Sequence, residues 1–402
     1  MINAFITNAQ HPEFGGVTVS FPIPGDEYES TLDLLKTIEI GDAIQQDCHV
    51  VELTSGFPVL RRLEGAQVNL DELDFLTKLL DKFDAGDTAR FQGMAEKLDL
   101  YEIIDFINLS CCCQQVTVIT DFSDLETVGR DHYMNLHDGC ATMEQLETLD
   151  GYGMALRLIN SGAGTVTPYG VVYDNGMELE RLYDGRHLPS YFYEDTLLDL
   201  YISPRTDPDP EHPTSDHLLL PAPDSLAERT LLRAGIDSPD ELRIFAIYAG
   251  LPKPIINALD LLNISRQDVY ELNDMCHAIR ELGSGQMDKL AAAVLLAKPE
   301  SAFEVGEIAK NLDLFDFIPG AKDAEDYGKY MIQQSGRFEY DPDLDNFYNY
   351  SQYGWSRINR EQGQFNELGY ISYQGTMTME ELLCGDPVER MEHETEGMGG
   401  MV

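Results

Sequence analysis

Residues 124–134, DLETVGRDHYM, fall on residues 323–333, DAEDYGKYMIQ, when the chain is slid 199 positions along itself. Asp124, Glu126 and Gly129 meet Asp323, Glu325 and Gly328, and Arg130 meets Lys329. Upstream, the same register pairs Ile119 with Ile318, Val116 with Phe315 and Asp105 with Glu304. It also pairs Gly170 and Gly176 with Gly369 and Gly375, Thr31 and Leu32 with Thr230 and Leu231, and Pro24 with Pro223. A shift of 201 sets Tyr152-Gly153 on Tyr353-Gly354. One nearly ungapped register over most of the length reads as a tandem duplication. Each copy, of about 190 residues, is too long to be a solenoid repeat.

Each copy carries both periodicities. Strands are predicted at VTVSFPI (17–23) and CHVVELT (48–54), around a helix at about 27–38. The second copy repeats this order with DHLLLPA (216–222), a helix near 224–234 and ELRIFAIYA (241–249). A helix is predicted from Ser265 to Leu282, where Val269, Leu272, Met275 and Ile279 recur at helical spacing and Ser265 with Asp268 resembles a capping box. Ser301 with Glu304 is a second such box, and Leu73, Leu76, Leu79 and Phe83 form the matching core stripe of the first copy. Each copy closes on a glycine-bounded, hairpin-like stretch, YGVVYDNG or LGYISYQG. The fold class expected is α+β: small α/β and helical subdomains in an internally duplicated, elongated and curved chain. The first copy is placed at 1–200, with subdomains at about 1–66, 67–118 and 119–200. PRTDPDPEHP (204–213) centres a linker at 201–215. The second copy follows at 216–384. An acidic, Gly- and Met-rich tail, expected to be disordered, spans 385–402.

The charge narrows the function. There are 27 Lys plus Arg against 71 Asp plus Glu, a net −44 over 402 residues. Direct nucleic-acid binding needs a basic patch, so it is excluded, and so is attraction to anionic membranes. The partner that suits this surface is basic, reached by long-range steering. Duplex DNA carries roughly one charge per 1.7 Å, so −44 equals the phosphates of about 22 base pairs, roughly 75 Å. A compact globule of this length would be about 55 Å across. With 43% hydrophobic residues, 17 Phe and 20 Tyr, the chain can build a core and is not an acidic disordered polymer. The seven cysteines (Cys48, Cys111, Cys112, Cys113, Cys140, Cys276 and Cys384) form no spaced framework, so reduced thiols in a cytoplasm are expected. MINAFITNAQ does not read as a signal peptide, and the apolar run 290–297 is too short to span a bilayer.

Motifs for chemistry are thin. GxxxxGK[ST], GxSxG and HExxH do not occur. Gly162 and Gly164 read as a hairpin turn, and the adjacent Cys111–Cys113 spacing does not suit zinc. DPDLDN (341–346) has Asn346 and Gln352 where a calcium loop needs Gly and an acid, and Glu211, His212, Asp216 and His217 read as solvated linker. No catalytic residue, cofactor or metal is therefore expected, and the protein is expected not to be an enzyme. What stands out is acidity threaded through the structured parts. Asp313, Asp316, Asp323, Glu325 and Asp326 lie among aromatics in the second copy, and Asp121, Asp124 and Glu126 in the first. A third run holds Glu339, Asp341, Asp343 and Asp345. Carboxylates on a rigid frame can imitate phosphate spacing.

The second copy resembles the ArdA antirestriction proteins. The features that match are KLAAAVLLAK, then NLDLFDFIPGAKDAEDYGKYM, then FYNYSQYGWSRINREQGQFNELGYISYQG. In the first copy the opening MINAFITN and YDGRHLP (183–189) are similar to the same family. The likeness covers about 1–190 and 215–377. It implies three small subdomains per copy strung into a curved acidic rod that imitates bent B-form DNA. That rod would occupy the DNA groove of type I restriction-modification enzymes, chiefly the modification core, and so protect incoming mobile DNA. Family members are usually one copy long and dimerise. A two-copy chain is expected either to act alone as a pseudo-dimer or still to form a homodimer. CCCQQVTVI (111–119) departs from the aromatic-acidic stretch of the second copy. Two other readings stand beside this one: an acidic module for another basic DNA-binding protein or defence complex, and an enzyme with an unrecognised site.

Overall fold

In the computed structural model, which describes residues 2–137, 139–191, 196–205, 216–238, 241–263, 267–283 and 285–385, the amino-terminal alternating stretches pair as a sheet. β1 (Ile2–Asn8) lies between β2 (Gly16–Phe21) and β3 (Cys48–Thr54), both antiparallel to it, and β4 (Gln67–Val68) extends the order to β2-β1-β3-β4. Alternation puts Ile2, Ala4 and Ile6 of β1 in the core with Val19 and Phe21 of β2. α1 (Tyr28–Lys36) buries Tyr28, Leu32 and Leu35. Three helices follow, α2 (Leu70–Leu80), α3 (Ala85–Lys97) and α4 (Ile103–Cys112). Phe91 of α3 is fully buried, with Phe57, Phe83 and Phe106 around it at ring distances of 6.1, 5.8 and 6.0 Å. A second sheet closes the copy. Its strands are β5 (Thr117–Ile119), β6 (Thr165–Thr167) and β7 (Gly170–Tyr173), in the order β5-β7-β6. Between them lie α5 (Leu125–Asn135), α6 (Met143–Thr148) and α7 (Gly151–Asn160).

The second copy repeats this plan. β8 (Leu198–Pro204), β9 (Asp216–Leu220) and β10 (Leu242–Ala249) form a sheet ordered β10-β8-β9, with α8 (Asp224–Arg233) after β9. Then come α9 (Lys253–Ala258) and the helical trio α10 (Val269–Arg280), α11 (Met287–Ala297) and α12 (Ala302–Lys310). β11 (Phe315–Pro319), α13 (Ala324–Gln333), α14 (Tyr350–Glu361), β12 (Gln364–Phe365) and β13 (Gly369–Tyr373) make the closing subdomain. Its sheet is ordered β11-β13-β12, and α15 (Met379–Cys384) follows. The equivalences reach single hydrogen bonds. Asp74 of α2 takes the Ile23 N–H at 2.7 Å, and Asn273 of α10 takes the Ala222 N–H at 2.8 Å, both pairs displaced by the same 199 positions. The closing subdomains share a close helix crossing. A Cβ added at Gly129 would sit 1.8 Å from the Gly151 carbonyl oxygen, and one at Gly328 would sit 2.1 Å from that of Tyr350.

The chain divides by contact into two units, Met1–Tyr191 with Arg229–Ala234, and Phe192–Glu228 with Gly235–Val402. With 47% helix and 18% strand in several small sheets, the class is α+β.

Several local expectations are corrected. Tyr201–Pro204, assigned to the linker, belong to β8, the strand equivalent to β1. Leu198, Leu200 and Ile202 alternate and are buried, a strand pattern that runs directly into the proline-rich stretch. Asp216 and His217, also assigned to that region, stand in β9; residues 206–215 lie outside the described residues. The second copy thus opens before residue 216, and Gln67–Val68, placed in the helical subdomain, complete the first sheet. α10 is capped by Asp268 itself, whose side chain accepts from the Tyr270 and Glu271 N–H groups; Ser265 lies outside the described residues. Ser301 caps α12, but Glu304 reaches the Glu300 N–H, so the reciprocal half of the box is displaced by one residue. Gly162 is no hairpin turn: it ends α7 with φ +70°. Leu73 and Leu76 are fully buried, Leu79 and Phe83 only partly. Gly385, the first residue of the expected tail, follows α15 directly, and residues 386–402 lie outside the described residues.

Candidate functional site

The acids singled out from the sequence sit mostly at helix starts, because an unpaired helix N-terminus offers N–H donors and a favourable dipole. Asp124 caps α5, accepting from the Thr127 N–H at 3.1 Å and the Thr127 hydroxyl at 2.7 Å. Its equivalent Asp323 caps α13, accepting from the Glu325 and Asp326 N–H groups at 2.9 and 3.0 Å. Glu126 pairs with Arg130 at 3.0 Å, and Glu325 with Lys329 at 2.7 Å, so the duplicated stretch keeps the same (i, i+4) ion pair. Asp121 accepts from the Ser123 N–H and hydroxyl at 2.8 and 2.7 Å, and Asp341 accepts from the Asp343 N–H at 2.9 Å. Asp326 accepts from the Lys322 N–H at 3.1 Å.

Exposure separates these acids. Asp121, Asp124, Asp313, Asp316, Asp323, Glu325, Glu339, Asp341 and Asp343 are exposed, whereas Glu126, Asp326 and Asp345 are half-buried. Asp313 lies in the 3-10 turn before β11, and Asp316 lies on β11 opposite Ser372. Asp345 is engaged inward, where one of its oxygens accepts from the Tyr340 hydroxyl at 2.7 Å, the Gln333 amide at 2.9 Å and the Tyr350 hydroxyl.

Hydrogen bonds favour the charged form of Asp124, Asp121 and Asp345. Thr127, through its hydroxyl first and then its N–H, holds the Asp124 carboxyl below the usual carboxylate range. The Ser123 N–H and hydroxyl do the same for Asp121, and the Tyr350 and Tyr340 hydroxyls do so for Asp345. A carboxylate has about four acceptor positions, so a capping acid can still receive donors from outside. A depressed carboxyl stabilises the fold above its ordinary pKa, and that contribution is lost as pH falls through the folded value. Thr127→Val should therefore raise the Asp124 pKa toward the ordinary value and let the start of α5 fray at higher pH. Carbon-detected NMR titration of the Asp124 carboxyl would read this directly, and an unchanged midpoint would sink the assignment.

Many cations are spent within the fold. Arg62 meets Glu96 and Asp99, Arg90 meets Asp87, Lys97 meets Asp174, Lys310 meets Glu307 and Arg357 meets Glu361.

Sequence reading missed a buried polar network in the first unit, since α2 was read only for its leucines. Asn69 and Glu72 form a reciprocal capping box at the start of α2, a spacing visible in the sequence. Glu72 also accepts from the Gln46 amide and, at 2.9 Å, from the Tyr183 hydroxyl. Burial pushes its carboxyl above the usual range, against the pull of those donors. Tyr183 opens the YDGRHLP motif, and its backbone exchanges two hydrogen bonds with the Asn108 side chain, so the motif closes onto α2 and α4. Asp71 is fully buried and meets Arg229 at 3.0 Å, Arg233, and the Tyr28 hydroxyl at 2.9 Å. Neither the depth of Asp71 nor its two arginine partners carries a local sequence signal.

Among the described residues no group of three or more His, Cys, Asp or Glu is placed to hold a metal ion, and no helix is long and apolar enough to cross a membrane. Cys113 is buried, which pushes its thiol far above the usual range, and Cys111 and Cys112 are raised by burial too. No model of a known protein family matches the sequence, and no curated protein matches it.

Proposed function

We propose that the protein is a DNA mimic that occupies the DNA-binding groove of a type I restriction-modification enzyme and inhibits it without catalysis. The observation that carries this reading is the placement of exposed, hydrogen-bonded carboxylates on a folded frame that the chain presents twice. Acids tethered by caps lose little freedom when a partner's Lys or Arg docks, so more of the charge attraction survives as affinity. A groove built for phosphates meets these carboxylates through the contacts that position DNA, with no base readout required. The net charge of −44 adds steering toward such a groove. One chain, with its two copies, fills one groove in this reading, as a dimer of single-copy relatives would.

The test is displacement of a labelled duplex from a purified type I modification enzyme, titrated at low and high salt. Stoichiometric displacement that fades steeply with salt is expected. Single replacements such as Glu325→Gln or Asp343→Asn should weaken displacement by no more than about fivefold, since exposed pairs contribute roughly 0–1 kcal/mol each. Asp313→Asn, Asp316→Asn, Glu325→Gln and Asp343→Asn combined should weaken it far more than any one. No displacement at low salt by folded protein would move the function to another basic partner. One substitution that abolishes inhibition would argue for a localised site instead of a distributed surface.

A further inference from the structure

From the loop after α13 into the first turns of α14 the second unit does something charge mimicry alone does not require: it exposes large apolar side chains. Phe347 is 83% exposed, Trp355 55% and Phe338 48%, all between residues 338 and 355. Single exposed apolar residues are ordinary on a protein surface, but a concentration of aromatic rings rimmed by polar groups marks a contact site. In the same stretch of chain Glu339, Asp341 and Asp343 are exposed, and so is Arg337 just before it.

The segment is held in place. Asp345 ties the Tyr340 and Tyr350 hydroxyls to the Gln333 amide of α13. Phe338 packs edge-on against Tyr353 of α14 at 5.7 Å, and the Tyr348 ring lies 5.9 Å from Tyr340 and 5.8 Å from Tyr350. Aromatic anchors on an ordered segment have the character of binding hot spots. The first unit repeats the theme from the end of α5 to the start of α7, where Leu136, Met143 and Tyr152 are exposed in a stretch that also exposes Glu144, Glu147 and Asp150.

We propose that residues 338–355 form a docking surface for an arginine-bearing protein partner. The partner's guanidinium groups lie against Phe347 and Trp355, while Glu339, Asp341 and Asp343 meet its charge. A second copy of this chain is a poor occupant, because two such acidic faces repel, and nucleic acid is excluded for the same reason. Arginine suits the surface better than lysine, since its planar, weakly hydrated guanidinium stacks on an aromatic face and still pairs with a carboxylate. The proposal rests on the acidic-mimic reading in requiring a basic partner, and it adds which side chain of that partner is recognised and where.

Trp355 is the single tryptophan of the chain, so its fluorescence reports on this surface alone. The full chain is titrated with an arginine nonapeptide and with a lysine nonapeptide at matched ionic strength. The Trp355 signal is expected to change saturably and at lower concentrations of the arginine peptide. Phe347→Ala should weaken arginine-peptide binding by about two- to fivefold, leave lysine-peptide binding unchanged, and keep the far-ultraviolet circular dichroism of the parent. Calorimetry with Trp355→Leu should show the same selective loss. Equal response to both peptides, or binding seen by calorimetry while Trp355 emission stays unmoved, overturns the docking surface. These outcomes separate from the failure of the broader reading. A responsive Trp355 without duplex displacement keeps the arginine dock and loses the restriction target. Displacement with a silent Trp355 does the reverse.

Discussion

Asp71→Asn is expected to destabilise the first unit by about 3–5 kcal/mol, among the largest effects of any single replacement in the chain. The Asp71 side chain is 4% exposed, and those of Arg229 and Arg233 are 8% and 5%. Removing the carboxylate's charge leaves two buried guanidinium groups facing a neutral amide. Arg229 would keep its hydrogen bonds to the Gly41 and Asp42 carbonyl oxygens but lose its ionic partner. Burial alone would push the Asp71 carboxyl up; Arg233 and then Arg229 outweigh it and hold the group below the usual carboxylate range. Its contribution is therefore complete above the ordinary carboxylate pKa and is lost as pH falls through the depressed folded value. The parent protein should keep this contribution to lower pH than an unpaired aspartate would allow, and Asp71→Asn should flatten that part of the stability profile. Urea unfolding across pH measures both. A companion variant sharpens the reading: Asp71→Leu combined with Arg229→Met and Arg233→Met should recover most of the loss, because apolar side chains of similar volume often replace a buried ion group at little cost. If Asp71→Asn costs less than about 1 kcal/mol, the network is not holding buried charge as described.

Gly328→Ala is expected to cost about 2–3 kcal/mol, although alanine is the better helix former. The added methyl would sit 2.1 Å from the Tyr350 carbonyl oxygen, and that atom belongs to the backbone, so no side chain can rotate away. α13 and α14 would have to separate, loosening Tyr327, Met331 and Ile358 in the core they share. Gly354→Ala meets the Ala324 carbonyl oxygen at 1.9 Å and should behave alike. The control lies in α12, where a Cβ at Gly306 would find its nearest neighbour at 3.6 Å, an ordinary contact. Gly306→Ala should stabilise by about 0.5–1 kcal/mol, the conformational entropy that glycine costs a helix. Opposite signs from one chemical change would establish that the Gly328 crossing is set by backbone proximity. Thermal unfolding of the three variants decides it, and a stabilised Gly328→Ala would refute the close crossing.

These two positions show where sequence reading reaches and where it stops. Gly129 and Gly328 stood out in the sequence as partners across the duplication, yet the sequence carried no sign that each faces a helix backbone. Asp71 stands in the leucine-rich α2, where nothing in the local pattern marks a charged residue as buried. Its two arginines lie more than 150 residues away along the chain.

The periodicity, the repeat register and the charge are properties of the chain itself. The α+β class, the repeat register, the strand–helix–strand order around α1 and α8, and the acidic excess are therefore legible in the residues alone. Those features follow from side-chain alternation and composition, which need no partner in space. Packing in three dimensions makes residues 201–204 a sheet strand, sets Asp268 as the cap of α10 and turns Asp345 inward to two tyrosines. It also separates the exposed acids from the half-buried Glu126, Asp326 and Asp345. Each of those outcomes depends on which donor or strand edge arrives from elsewhere in the chain, and that is settled by packing.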